Sequence, residues 1–336
     1  MRIALDAMGT DSRPEPDVAG AVMAAKEFGD TIILVGPKSI IEAELKKHAV
    51  DQLAIEIVDA PSVVAMEEKP SVVLQMPDKT SMHRGMQLVK DGQADAFVTM
   101  GNTGAAMAIA TLKTLRRIAG VKRPALTSIF PIYEKKIIFL DIGANADAKP
   151  EWLYQFATMG SIYAQSALGY STPRVATLSI GEEEGKGNQL LTETEALLRK
   201  ADEINYIGHV EPKEILRQNA EVIVFDGFVG NVFLKTFEGA ITYFGGLLRD
   251  ELESSLMTKL GALLLRPSFR RVRQKLETGN IGGAPLLGVN GVVIIGHGGS
   301  NATSIKNAIG QARVAVAGQT VELLRQHFAS KSVVLG

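Results

Sequence analysis

Short apolar runs alternate with amphipathic stretches along nearly the whole chain. Runs at 2–6, 31–35, 54–58, 96–99, 174–179, 204–207, 222–225 and 292–295 are rich in Val, Ile and Leu, as in strands buried on both faces. Helical spacing follows most of them, so the order predicts an α/β fold with a mostly parallel sheet covered by helices on both sides. One pair departs from this rule. The runs 125–132 and 136–140 are joined only by Tyr133-Glu134-Lys135, too short for a crossover helix, and predict an antiparallel hairpin.

The pattern changes from about residue 245 to 280. Leu256, Leu260, Leu263 and Leu264 fall at helical spacing, Pro267 predicts the end of that helix, and Arg270, Arg271, Arg273 and Lys275 mark a second, basic one. This is a helical hairpin inserted into the α/β pattern. No Pro/Ser/Gly-rich linker and no repeat of fixed period divides the chain, which predicts one domain over 1–336.

Composition narrows the classes of function. With 46% hydrophobic residues and 33 glycines among 336 residues, the chain suits a large folded α/β enzyme. Its formal net charge of -1 gives no general pull toward nucleic acid, and no basic tract with interleaved aromatics offers a groove for it. The absence of cysteine excludes disulfides, thiolate metal sites and a cysteinyl acyl-enzyme, and points to a reducing cytoplasm. Met1 leads straight into a strand pattern without a signal-peptide core, and no apolar run approaches 18 residues, so secretion and membrane spanning are not expected.

Chemistry gathers where strands end. The run 292–295 breaks into Gly296-His-Gly-Gly-Ser300 and then opens a helix that Ser300 or Asn301 can cap, which is the grammar of an anion site or of a tight turn. Similar endings are Asp6-Ala-Met-Gly9, Gly101-Asn-Thr-Gly104, Asp141-Ile-Gly-Ala-Asn145, Gly181-Glu-Glu-Glu-Gly-Lys-Gly187 and Asp226-Gly-Phe-Val-Gly-Asn231. In an open α/β sheet ligands bind beyond the carboxyl ends of the strands, so these six loops are expected to meet on one edge.

None of them fits G-x-G-x-x-G or the P-loop, and no G-x-S-x-G elbow is present. Lys186, between two glycines, is either an anion contact or a solvated loop lysine. Asn102 and Thr103 are either caps or phosphate contacts. Asn231 and Lys235 are four apart on one helical face and either address a cleft or decorate the surface. His297 is either a donor to an oxyanion or a turn residue. The five histidines are scattered and the glutamates 182–184 have none nearby, so no metal is expected.

Read in order, these endings together with Arg123-Pro-Ala125 and Gly282-Gly-Ala-Pro-Leu-Leu-Gly288 resemble the bacterial phosphate acyltransferase family, PlsX, from about residue 3 to 309. The resemblance implies a three-layer α/β/α fold like that of phosphotransacetylase and the isocitrate/isopropylmalate dehydrogenase group. It implies transfer of a long-chain acyl group from acyl carrier protein to inorganic phosphate, forming acyl phosphate for phospholipid synthesis, with no cofactor. It further implies a homodimer in the cytoplasm, peripheral to the inner face of the membrane, whose product passes to a membrane glycerol-3-phosphate acyltransferase. Thr10 and Ser12 stand where the family has Gly and His, and His209 and Pro212 where it has Asn and Gly.

Within that reaction Lys186 and the loop Gly101, Asn102, Thr103 and Gly104 are expected to bind phosphate, with Gly185, Gly187, Gly298 and Ser300 supplying further amides or donors. His297 or Asn231 then supports the carbonyl oxygen or the leaving thiolate, and Asp6, Asp141, Asn145, Asp226 and Lys235 line the cleft. Leu260, Leu263, Leu264, Arg270, Arg271 and Arg273 of the hairpin are expected to meet an anionic lipid surface or the acidic carrier protein, with packing as the plain alternative. Two other functions compete. An NAD(P)-dependent decarboxylating dehydrogenase of the same fold would need an aspartate metal cluster and several arginines that the chain does not assemble. A non-catalytic scaffold for acyl ligands at the membrane surface would need the hairpin but not the anion loops.

Overall fold

The computed structural model describes residues 1–132, 135–183, 185–217, 219–276 and 282–332, with the side chains of 273–276 and 331–332 outside that description. Among the described residues, eleven strands form one sheet. They are β1 (Arg2–Asp6), β2 (Thr31–Gly36), β3 (Ile55–Asp59), β4 (Ala96–Thr99), β5 (Ala125–Ile132), β6 (Lys135–Leu140), β7 (Val175–Leu178), β8 (Tyr206–Val210), β9 (Val222–Val224), β10 (Ala284–Leu287) and β11 (Val292–Ile295). Across the sheet the order is β3-β2-β1-β4-β11-β10-β5-β6-β9-β7-β8.

The near-continuous apolar strands follow from burial on both faces. Ala4, Phe97, Val293, Phe139 and Ile223 point to one face, where the helices Ser81–Lys90 and Thr103–Ala108 and the first turns of Gly227–Glu253 cover them. Their neighbours Leu5, Val98, Ile294, Leu140 and Val224 point to the other, under Glu15–Phe28, Pro150–Leu168 and Ala302–Ala317. A single polar substitution at any of these positions would bury an unpaired group in an otherwise apolar layer.

The hairpin of β5 and β6 is antiparallel, as its short connection required; Tyr133 and Glu134 of that connection lie outside the described residues. The strand at 284–287 was not expected from the sequence. It lies at the centre of the sheet, antiparallel to both β11 and β5. With β5 antiparallel to β6, three reversals separate the two halves of the sheet. Three is odd, so β6, β9, β7 and β8 run opposite to β1, β2, β3, β4 and β11. Strand β8 also begins two residues later than the run 204–207 indicated.

The helical hairpin differs from the expected one in two ways. Its first arm is not the expected leucine helix around Leu256–Leu264 but an earlier helix, Gly227–Glu253, that starts at the end of β9. Its second arm is also one helix, Leu256–Leu276, which continues through Pro267. A proline inside a helix removes one hydrogen bond at a cost of about 3 kcal/mol, a local penalty that did not end this one. Phe233 and Phe237 of the first arm pack on Phe139 and Phe130 at ring distances of 5.6 and 5.5 Å. Beyond them, residues 238–253 extend about 24 Å at 1.5 Å per residue. Tyr243, Phe244, Leu256, Met257 and Leu264 on the two arms are all exposed. Among the described residues no helix is long and apolar enough to cross a membrane.

Candidate active site

Four of the strand-end loops hand over to helices through an Asn or Asp cap. Asn102, Asn188, Asp226 and Asn301 accept from the amides of Ala105, Leu191, Val229 and Ser304 at 2.8–3.0 Å. Each cap satisfies one of the unpaired amides of a helix start and leaves others free to face an anion.

At the ends of β1, β4 and β11 the loops lock together. Thr99 donates its hydroxyl to Asp6 Oδ2 at 2.8 Å, Asp6 Oδ1 accepts the Met8 amide at 3.1 Å, and the Gly101 amide donates to Thr99 Oγ1 at 3.0 Å. Burial pushes the Asp6 carboxyl above its ordinary value, against those hydrogen bonds. Gly9 lies so close to the next loop that a Cβ there would stand 2.7 Å from the Met100 amide nitrogen. The Asp11 amide donates to the Gly298 carbonyl at 2.9 Å. Asn102 is fully engaged: besides capping, its Nδ2 lies within 3.2 Å of the carbonyls of Ala65, Met66 and Glu68. Thr103 and Gly104 form the first helical turn after it. His297 is exposed, and its Nδ1 accepts the Gly299 amide at 3.1 Å, which places the proton of the neutral ring on Nε2. Ser300 is half-buried and donates its amide to the His297 carbonyl.

The ends of β6, β9 and β7 form a second group. Buried Asp141 accepts the amides of Leu126, Gly143, Ala144 and Asn145 and the Asn145 side chain at 2.7–3.1 Å. Burial raises its carboxyl, and these five donors oppose the shift. Asn145 also donates to the Pro124 carbonyl at 2.8 Å and accepts the Gly227 amide at 2.7 Å on its own carbonyl, which joins the 141–145 loop to the start of the long helix. Asn231, one turn on, donates to the Ile142 carbonyl at 3.3 Å, and Lys235 stands exposed a further turn along. Lys186 is exposed in the neighbouring loop between Gly185 and Gly187, whose φ angles of 79° and 113° favour glycine. Its amide donates to Glu183, and its carbonyl accepts the Ser179 hydroxyl at 3.2 Å. Glu184 lies outside the described residues. Close by is a cleft of about 510 Å³ lined by Glu182, Glu183, Glu211, Lys213, Glu214 and Arg217, too rich in carboxylates to attract phosphate.

The six loops therefore do not share one edge. The strand reversal sends 6–11, 99–104 and 296–301 to one edge and 141–145, 179–187 and 226–231 to the opposite one. Strand β7 is five positions from β11, about 24 Å at 4.8 Å per strand, so within one chain Lys186 and His297 cannot reach the same small ligand. On the hairpin, Leu260, Leu263 and Leu264 are 62%, 63% and 82% exposed. Arg270 is exposed, Arg271 bonds to Ser268 at 2.9 Å, and the side chain of Arg273 lies outside the described residues.

Among the described residues no group of three or more His, Cys, Asp or Glu side chains could hold a metal ion. Several residues that shape these loops carried no local sequence signal. Thr99 looked like the end of a strand, and Ser179 likewise. Only a contact map would have paired Thr10 with Asp17, or Glu195 with His209, since no helix or strand spacing relates them.

The model of the fatty acid synthesis protein family matches residues 1–323 of the chain. The chain is 46% identical over 309 residues to a phosphate acyltransferase of Trichlorobacter lovleyi, covering 92% of this chain and 89% of that one. It is 47% identical over 332 residues to a phosphate acyltransferase of Heliobacterium modesticaldum, covering 98% of each. In fold it is similar to EutD phosphotransacetylase from Staphylococcus aureus, with a TM-score of 0.58, 17% identity and coverage of 95% and 94%. It is also similar to 4-hydroxythreonine-4-phosphate dehydrogenase from Klebsiella pneumoniae, with a TM-score of 0.50, 14% identity and coverage of 98% and 99%.

Proposed function

The chain belongs to the fatty acid synthesis protein family of phosphate acyltransferases, enzymes of acyl transfer involving phosphate, and from that premise we propose that it moves a long-chain fatty acyl group from acyl carrier protein to inorganic phosphate. The product is an acyl phosphate for phospholipid synthesis. The observation that carries this reading is the presentation of Lys186 on a loop fixed at both of its peptide units, on the sheet edge that also holds Asn231 and the start of the long helix.

Phosphate is largely a dianion near neutral pH and needs no general base to attack a thioester. The protein has to hold it, polarise the carbonyl and exclude water. Lys186 with the amides of Gly185 and Gly187 holds the phosphate, and Asn231 supports the carbonyl oxygen or the leaving thiolate. One well-placed donor to a developing oxyanion lowers the barrier by roughly 3 to 4 kcal/mol. With no cysteine in the chain, attack is direct, in a complex that contains both substrates. Phe228 and Val232 are 65% and 51% exposed on either side of Asn231 and offer the acyl chain an apolar path onto the first arm.

The loops at 101–104 and 296–301 supply the remaining anion donors, His297 among them. Because they lie on the opposite edge, they serve the same reaction through a second copy of the chain, and a homodimer is part of the proposal. The exposed leucines of the hairpin support reversible docking on an anionic membrane from the cytoplasmic side, where a membrane acyltransferase would take the product. Each buried leucine there contributes roughly 1.5 to 3 kcal/mol before ordering costs, and each nearby arginine about 1 kcal/mol.

The absence of cysteine allows a clean test. A thiol reagent added to protein, acyl-acyl carrier protein and phosphate reads only the thiol released from the carrier. Release that rises and saturates with phosphate is the expected result, and release independent of phosphate would reject the reading. Acyl-coenzyme A in place of the carrier tests the choice of donor.

A further inference from the structure

Between Asp95 and Glu134 the chain carries no acidic residue, although its 36 lysines and arginines and its 37 acids nearly balance over the whole length. Arg116, Arg117, Lys122 and Arg123 crowd into one loop of that stretch, and all four are exposed. The apolar residues between them turn inward, with Ile118 and Val121 only 2% and 5% exposed. The loop presents a basic outer face over a buried apolar one.

That face is held in place. Arg116 has a φ of 66°, in the left-handed region, and its carbonyl accepts the Asn290 amide at 3.0 Å. The Ile118 amide donates to the Gly288 carbonyl at 3.0 Å, and the Arg117 guanidinium donates to the Lys122 carbonyl. Gln155, on the helix Pro150–Leu168, accepts the Lys122 amide at 2.8 Å and donates to the Gly120 carbonyl at 3.0 Å. Arg123 lies over the ring of Trp152, the chain's single tryptophan, 4.9 Å from its centre, and Lys149 Nζ stands 6.0 Å from the same ring. Attraction to an indole face fixes a cation without neutralising it. Lys113, nearby, is paired with Asp78 at 2.7 Å, whereas Arg116, Arg117, Lys122, Arg123 and exposed Lys149 form no ion pair among the described residues.

The strip lies on the sheet edge of Lys186 and Asn231. Ala125, the first residue of β5, pairs with Leu287, the last of β10, and Asn145 donates to the Pro124 carbonyl, which joins the strip to the 141–145 loop. From β5 to β7, whose end carries the Lys186 loop, is three positions in the sheet, about 14 Å at 4.8 Å per strand. We propose that this strip is the surface on which the acidic acyl carrier protein docks to present its thioester. The inference rests on the reading that the carrier is the acyl donor. Fixed, unpaired cations beside the reacting loops steer an acidic partner and set its orientation. A lipid surface fits the strip less well, because its apolar residues are buried and none is left to enter a bilayer; the exposed leucines of the hairpin serve that purpose.

The test compares the parent with Lys122→Glu/Lys149→Glu and with the neutral Lys122→Gln/Lys149→Gln, and takes Lys46→Glu, an exposed lysine after the helix Lys38–Leu45, as control. Affinity for a carrier protein lacking tryptophan is measured by calorimetry at low and high salt, with Trp152 emission as the report of where it binds. The KM for acyl carrier and for phosphate is measured in steady state, and flotation with anionic vesicles is run on the same proteins. Parent protein should show a saturable change in Trp152 emission and an affinity that falls with salt. The charge-reversed variant should raise the Kd and KM for the carrier at least about tenfold and leave the phosphate KM within about twofold, with the neutral variant between them. Unchanged carrier constants in the charge-reversed variant, unchanged Trp152 emission at saturating carrier, or loss of flotation with carrier binding intact would overturn the proposal. A parent that neither binds the carrier nor consumes its thioester would instead remove the reading on which the proposal rests.

Discussion

Thr10 bonds through its hydroxyl to one carboxylate oxygen of Asp17, and the other, Oδ1, is buried without a hydrogen-bond partner among the described residues. The pair packs beside the Asp6 loop, and burial, with Asp6 nearby, pushes Asp17 from its ordinary value of 3.8 to about 7.

The folded chain thus holds a proton on Asp17 that the unfolded chain sheds above about pH 4. Stability from this group is full below the unfolded value and is lost as pH rises through about 7. Each pH unit in that window corresponds to about 1.4 kcal/mol. Asp17→Asn, neutral at every pH, should gain on the order of 2 to 3 kcal/mol relative to the parent between pH 5 and pH 8 in urea denaturation. An equal difference between the two proteins at both pH values would show that Asp17 stays ionised in the fold.

The separation of Lys186 and His297 onto opposite edges makes a prediction about mixed dimers. Lys186→Ala and His297→Ala should each lower phosphate-dependent turnover at least about tenfold. A heterodimer carrying one change in each copy, isolated with two different tags, has one doubly altered and one intact site under twofold symmetry. It should recover up to about half of the parental turnover. No recovery would place each site within one chain, and full activity of His297→Ala alone would remove the 296–301 edge from the reaction.

The apolar arms of the hairpin predict membrane docking. Leu263 and Leu264 are exposed on the second arm, so changing both to glutamate should leave the fold and its melting temperature nearly unchanged. Flotation with vesicles of anionic lipid should carry the parent upward and leave the variant in solution. Equal flotation of both would assign these leucines to another partner.

Much of the fold was legible because strands buried on both faces announce themselves. The runs 2–6, 96–99 and 292–295 match β1, β4 and β11 to the residue, and three connecting residues were enough to imply the antiparallel β5–β6 pair. What hid the two-edged site was β10. Its Pro285 and the preceding glycines read as loop, since proline cannot donate to a ladder. Without that strand the number of reversals could not be counted, and all six loops fell notionally on one edge. Pro267 misled for a related reason: the rule describes a local penalty, whereas the helix continues through it. The Thr10–Asp17 and Glu195–His209 pairs were invisible because they are tertiary, joined across loops whose geometry no spacing rule encodes.

The central claim is acyl transfer to phosphate, and the most direct measurement is to incubate the protein with acyl-acyl carrier protein and inorganic phosphate and trap acyl phosphate with hydroxylamine. The expected result is hydroxamate that forms only when both substrates are present and increases with phosphate. Folded protein that consumes the acyl carrier without phosphate-dependent hydroxamate, or leaves it untouched at every phosphate concentration, would contradict it.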